Sequence, residues 1–366
     1  MEGGGDPLDE AVSLHAQALD LRERHRRVQA EATARRSLEL FERHAGPDDP
    51  DVANVANLLA ALRADDDDLV EAEALSRRAV AVMAALPAGD VDLDRLRVQS
   101  LRSLATILRR QGRHDESRRL FDEALPLARD RFGPDDSDTV ATENELAILC
   151  KYTGRFDEAE ALYRHVLGVI EAQLGADSSD AAAIYHNLAG LAHSRGRYAE
   201  SEPWARRSVA VHAAVLGPDD PATIADSAQL GSILDALGRS EEAEPLLRDA
   251  IARFERLLGP GHYEVAVNAA NLAVLLARKG LTRAAEAEAL YRRALDIKTR
   301  VLGTQSAEVA TVTNNLGVLL TGLGRRSEAE DLFARALPVL EATLGGQDET
   351  TRACAANLDE LRRRPS

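Results

Sequence analysis

A glycine followed by a short acidic segment recurs along this chain of 366 residues. Clear copies begin at Gly46, Gly133, Gly175, Gly217 and Gly259, with weaker ones at Gly89, Gly303 and Gly345. The spacing never leaves the range 42 to 44 residues. A period of that size is the mark of one supersecondary unit copied many times. Such a unit cannot bury its apolar face alone, so neighbours must stack on it. The prior of two or three domains, at roughly 150 residues each, gives way to one array.

Other features keep the same phase. A Leu with a small residue follows every marker but the last, as Leu59-Ala60, Leu104-Ala105, Leu146-Ala147, Leu188-Ala189, Leu230-Gly231, Leu272-Ala273 and Leu316-Gly317. A Gly-Arg pair comes next, as Gly112-Arg113, Gly154-Arg155, Gly196-Arg197, Gly238-Arg239 and Gly324-Arg325. Glu-Ala-Glu or a variant then opens a second apolar pattern, as at Glu158-Ala159-Glu160. Each unit therefore reads as helix A, a Gly-Arg turn, helix B and an acidic loop. The loop glycine suits a helix C-cap with positive φ. The Pro and Asp after it end helix B and start the next helix, with acid near the positive end of its dipole. The small residue after Leu lets helices approach closely.

These motifs resemble the tetratricopeptide repeat in its 42-residue, kinesin-light-chain-like form. The likeness rests on Asn314-Asn315-Leu316-Gly317, on Leu290-Tyr291-Arg292-Arg293-Ala294-Leu295 and on Leu216-Gly217-Pro218-Asp219-Asp220-Pro221. It covers nearly the whole chain. It implies an all-α, right-handed superhelix of about eight helical hairpins with a C-terminal capping helix. The expected organisation is a disordered 1–7, a degenerate first repeat over 8–45, seven repeats over 46–344, and a capping helix and tail over 345–366, all in one continuous solenoid domain. Three departures stand out. Asp65 to Asp68 replace Gly-Arg in the second unit, and the Gly89 loop and the Gly280 turn each gain about two residues.

Composition narrows the function classes. Net charge is −16, and of 45 basic residues only Lys151, Lys279 and Lys298 are lysine. That balance argues against nonspecific duplex binding and against docking on an anionic membrane. The first ten residues carry no apolar core of a signal peptide, and no apolar run approaches a membrane span. Two cysteines, Cys150 and Cys354, make no disulfide framework, which points to a reducing, cytoplasmic setting.

No phosphate loop, dinucleotide fingerprint, zinc-protease motif or nucleophile elbow is present. No metal or cofactor site is expected. The Asp65–Asp68 run lacks the spacing of a calcium loop and reads as a solvated turn. Cys150 reads as buried packing, and Trp204, where other repeats carry Leu, as core.

The binding surface follows from the resemblance, because in such repeats the A helices line the concave face. Carried onto this chain, that face presents Asn57; Arg102, Arg109 and Arg110; Asn144, Glu145, Lys151 and Tyr152; His186, Asn187 and His193; Gln229 and Asp235; Asn271 and Arg278; and Asn314 and Asn315. Asn187, Gln229, Asn271, Asn315 and Asn357 share one position. A carboxamide both donates and accepts, so such a ladder can pair with any extended peptide backbone. The same amides can equally serve as contacts to a neighbouring helix. Arg102, Arg109, Arg110 and Lys151 gather positive charge suited to a carboxylate or acidic peptide; the alternative is pairing with acidic neighbours of their own chain.

The leading expectation is a noncatalytic scaffold for a peptide or protein segment, with an acidic segment as the variant these cations favour. A second is a regulatory adaptor or sensor for a separately encoded enzyme. A third is an unusual enzyme with its acid–base groups at Glu145, Lys151, Tyr152, His186, His193 and Asp235.

Overall fold

The computed structural model describes residues 6–24, 26–66 and 68–363. Of the segment expected to be disordered, residues 1–5 lie outside the described residues; Asp6 caps the first helix and Pro7 opens it. Asp67 of the acidic turn and residues 364–366 of the tail also lie outside.

The chain is all-α, with the hairpins of a tetratricopeptide solenoid. It forms two compact units, one ending at Gln173 and the other beginning at Leu174. The first holds α1 (Pro7–Glu23), α2 (Arg27–His44), α3 (Pro50–Asp65), α4 (Leu69–Ala85), α5 (Val91–Arg110), α6 (His114–Phe132), α7 (Ser137–Tyr152) and α8 (Phe156–Leu174). The second holds α9 (Ser179–Ser194), α10 (Tyr198–Val215), α11 (Pro221–Ala236), α12 (Ser240–Leu258), α13 (Tyr263–Arg278), α14 (Ala284–Leu302), α15 (Ala307–Gly322), α16 (Arg326–Thr343) and the single α17 (Glu349–Arg363). Residues 8–45, degenerate in sequence, still make a full hairpin, closed where the Ser37 hydroxyl donates to Ala11 O at 2.7 Å.

Burial separates the two helix types. In α14, a B helix, the buried residues Ala287, Tyr291, Ala294 and Lys298 form one stripe at helical spacing. In α13, an A helix, Val265, Ala266, Asn268, Ala269, Leu272, Ala273, Leu275 and Leu276 are buried on two faces. An A helix packs against its own B helix and against A helices before and after it; α13 touches both α11 and α15. In the second unit this layering yields one continuous apolar core running from Ala189 to Leu361.

The repeated motifs each have a physical job. The loop glycines take positive φ, for example Gly133 at 92° and Gly217 at 91°. The aspartates after them cap the next A helix: Asp49, Asp136 and Asp220 each accept a backbone N–H at 2.8–2.9 Å. Such a cap contributes about 1 kcal/mol. The small residue after Leu faces the partner B helix, and a Cβ on Gly317 would meet the Phe333 ring at 2.8 Å.

The Gly-Arg turn builds a charge ladder. Arg239 grips Glu242 with two donors at 2.7 Å and reaches Glu202 of the preceding repeat at 2.7 Å. Arg325 does the same to Glu328 and Glu288, and Arg113 to Glu116 and Glu73. Without Gly-Arg, the acidic turn of the second repeat is organised from the helix instead. Arg63 there pairs with Glu31, Asp66, Asp68 and Glu71.

Candidate functional site

In the first unit the groove cations sit on α5 and α7. Arg102 donates to the carbonyl and carboxylate of Asp138 at 3.3 and 3.2 Å. Arg109 donates to Glu145 Oε2 at 3.0 Å, and the Thr106 hydroxyl donates to the same oxygen at 3.1 Å. Arg110 reaches back to Ala64 O at 2.7 Å. Arg102 and Arg109 are thus neutralised by acids of their own chain, 36 residues further on. The pairing of arginines with acidic neighbours is the state of these two side chains.

Lys151 differs. It is half-buried, and no carboxylate pairs with it among the described residues. Arg109 acts on it electrostatically, and the centroid of the exposed Tyr152 ring lies 5.2 Å from Nζ. Burial, and secondarily the like charge of Arg109, pull its pKa below the ordinary lysine value. The Arg109 guanidinium also lies 6.0 Å from the Tyr152 ring, and its Nε is buried without a partner. Tyr163, from α8, is fully buried with an unpaired hydroxyl. Burial raises its pKa, and the charges acting on it are led by Glu145 and Arg109. One corner of the first unit therefore collects an uncompensated ammonium and two orphaned donors.

Sequence reasoning placed Lys151, Arg109 and Tyr152 in this corner and missed Tyr163. That tyrosine stands at a B-helix position filled by Phe121 and Phe333 elsewhere, so the pattern reads it as core.

The amides turn partly inward. Asn57 Nδ2 donates to Ser100 Oγ at 2.8 Å, and its Oδ1 is buried and unpaired. Gln229 Nε2 donates to His186 O at 3.2 Å, leaving Oε1 buried and unpaired. Asn271 Nδ2 meets Ser232 Oγ at 3.3 Å, and Asn314 Nδ2 donates to Asn315 Oδ1 at 3.3 Å. Asn144 and Asn187 also have partners. For Asn57, Gln229 and Asn271 the contact to a neighbouring A helix is real, and it does not exclude a ligand on the same stripe.

His186 belongs to a network the sequence did not reveal. The Asp226 carboxylate of α11 is 2% exposed. It contacts His186 Nδ1 and His212 Nδ1, each at 2.7 Å, and accepts from the Ser208 hydroxyl. His212 Nε2 lies 3.1 Å from Ser179 O, so both its ring nitrogens face oxygens.

The other acid–base candidates are engaged elsewhere. Asp235 accepts from Ser240 and Arg278, both at 2.8 Å, and the His193 ring packs on Tyr198 at 5.1 Å. Cys150 is buried, which pushes its thiol up to about 12. Trp204 is half-buried, stacked on Tyr185 at 5.7 Å and packed on the core. Among the described residues, no three His, Cys, Asp or Glu side chains gather as a metal site. Nor is any described helix long and apolar enough to cross a membrane.

Comparison with known proteins places the fold. The chain is 25% identical to BtubC (BKLC) from P. vanneervenii, over 63% of this chain and 91% of that one, with a TM-score of 0.52. The apo quorum sensor NprR from B. thuringiensis matches over 93% of this chain and 90% of its own, at 14% identity and a TM-score of 0.64. The Rap conjugation gene regulator of plasmid pLS20, in complex with the Phr* peptide, matches over 92% and 96%, at 13% identity and a TM-score of 0.61. The last two likenesses are of fold alone. No curated protein matches. A family model described as tetratricopeptide repeat matches residues 96–172, 180–256, 225–286 and 269–342, more than half of the sequence, and the chain belongs to the tetratricopeptide repeat family.

Proposed function

We propose that this protein is a noncatalytic scaffold that binds a peptide or protein segment on the face of its A helices, with an acidic group of the ligand at the Lys151 corner. The observation that carries this reading is the Lys151 ammonium, held half-buried with no carboxylate paired to it among the described residues. A desolvated charge without a partner is costly, and a ligand carboxylate would offset that cost. The amide stripe supplies groups for a peptide backbone. Peptide-bound Rap supports the reading by likeness of fold. The quorum sensor NprR supports in the same way a regulatory sensor, for which the bound peptide would be the signal. A cytoplasmic location, with no nucleic acid or membrane as partner, belongs to the proposal and is supported by the net charge of −16 and the two free thiols.

The test is calorimetry with an acetylated hexaglutamate amide as probe. Lys151→Met should weaken binding by at least about tenfold, as expected for a lost charge-assisted hydrogen bond, with unchanged circular dichroism. Asn187→Ala with Asn271→Ala should weaken it as well. Equal affinity of wild type and Lys151→Met would sink the proposal.

A further inference from the structure

The turn between α13 and α14 is longer than its counterparts. Five other repeats pass from glycine straight to arginine, whereas here Leu281 and Thr282 stand between Gly280 and Arg283. The extra residues form a short 3-10 turn, Leu281–Arg283, and leave Leu281 74% exposed. Beside it opens a cavity of about 550 Å³ between α13, the turn, α14 and α15. Its walls are mainly apolar, with Val274 and Ala277 on one side and Val318, Leu319 and Leu323 on the other.

Three polar groups reach this space. Tyr291 is 3% exposed, yet its hydroxyl has no hydrogen-bond partner among the described residues. Burial raises its pKa to about 12, so it stays a neutral donor. Asn315 accepts from Asn314 through Oδ1, and its own NH₂ is unpaired among the described residues. Arg278 stands at the rim with 61% of its side chain exposed, tied to Asp235 through one nitrogen.

We infer that this cavity is a specificity pocket for one large apolar side chain of the bound peptide, with the peptide groups on either side of it. The inference rests on the reading of the A-helix face as a peptide site and names what the second unit selects. A volume of about 550 Å³ falls in the range of small-ligand sites and exceeds any one side chain, so the flanking amides fit too. Burial of the apolar group supplies the affinity. The Asn315 NH₂ and the Tyr291 hydroxyl, both lining the cavity, donate to the flanking carbonyls. No Asp or Glu lines the cavity, so a cationic side chain there would be desolvated without a carboxylate partner.

The test uses the full chain and N-acetyl-phenylalaninamide as probe, followed by equilibrium dialysis. It should bind at least about tenfold tighter than N-acetyl-alaninamide or N-acetyl-lysinamide, the ratio expected from burying one aromatic ring. Deleting Leu281 and Thr282, which restores the Gly-Arg turn of the other repeats, should abolish that preference. Val318→Trp fills the cavity from an exposed position and should do the same without touching the core. Tyr291→Phe should weaken the probe about fivefold. Lys151→Met should leave it unchanged. If the hexaglutamate probe ignores Lys151 while this probe still requires Leu281 and Val318, the acidic-corner reading falls and the pocket stands. Equal binding of the phenylalanine and alanine probes, or full binding in well-folded Val318→Trp, would overturn the pocket.

Discussion

The two units solve the same problem of buried acid with different bases. In the first, buried carboxylates meet arginine: Asp94 is held by Arg97 and Arg131, Asp138 by Arg95 and Arg102, and Glu143 by Arg129 with help from His165. In the second, Asp226 is held by His186, His212 and Ser208. Arginine reaches water with part of its length while its fork stays on the acid. In the second unit His212 and Ser208 are themselves buried, while His186 keeps a third of its side chain exposed. Each of the first unit's acids is therefore met by partly hydrated bases, whereas Asp226 faces two buried partners, His212 and Ser208, beside the partly exposed His186. The contrast extends to the ligand face. The first unit offers charge at Lys151, and the second offers amides and an apolar cavity.

The largest expected effect lies in the Asp226 network. Asp226→Ala leaves His212 Nδ1 in the core without its partner, while Ser208 keeps the Ala182 carbonyl as acceptor, and should cost about 3–5 kcal/mol, as when one partner of a buried pair is removed. Asp138→Ala should cost clearly less, because Arg95 and Arg102 are 34% and 22% exposed and can turn to solvent. Trp204, the only tryptophan, lies on α10 with Ser208 and His212 and reports the second unit. Urea unfolding followed by its fluorescence checks the first variant, and circular dichroism the second. Equal shifts of the two midpoints would remove the distinction between the units.

A middle-sized effect sharpens the account of the first unit. Burial and Arg109 lower the Lys151 pKa in the folded protein. Acidic-peptide affinity should therefore fall with rising pH before an ordinary lysine would titrate at about 10.4, down to the plateau left by Arg109. Lys151→Arg should flatten that fall. Stability moves in the opposite direction. A folded pKa below the unfolded one means that the unfolded chain binds more protons within the window between them. Stability thus rises with pH from the lowered value up to the ordinary one, and Lys151→Met should lack this rise. Difference titration of binding and of thermal midpoint, wild type against Lys151→Met, measures both signs.

The sequence made legible whatever repeats. The loop glycines, the aspartate caps, the small residue against the B helix and the hairpin order all follow from local rules applied eight times over. The cation group at Arg102, Arg109, Arg110 and Lys151 was legible as a stripe, but its charge state was not. Asp138 and Glu145, which neutralise Arg102 and Arg109, lie on the next A helix, and nothing in the spacing says which acids face which bases. Asp226 was invisible for another reason. Ser100, Thr142, Ile184 and Asn268 occupy its position in other repeats, so no periodic signal marks it. The extra residues at Gly280 were visible as an insertion. That they open a cavity depends on a 3-10 turn and on the neighbouring Tyr291.

The smallest effect tests whether repeated charge pairs carry stability at all. Arg239 joins Glu242 and Glu202 with three bonds of 2.7 Å, and the same pattern recurs at Arg113, Arg283 and Arg325. Regularity invites the view that this ladder holds the solenoid together. The guanidinium of Arg239 is nevertheless well hydrated, with 39% of its side chain exposed, and exposed pairs contribute little because water screens them and two long side chains must be ordered. Arg239→Ala should therefore barely move the urea midpoint, and added salt should shrink the change further. A glycine change one residue earlier should do more. Gly238 holds φ at 77°, a region costly for any residue with a Cβ, so Gly238→Ala should exceed Arg239→Ala in the same unfolding series. If the arginine variant instead proves the more damaging, the ladder acts as a cooperative network, and the first unit's hydrated pairs must be weighed again beside the Asp226 cluster of the second.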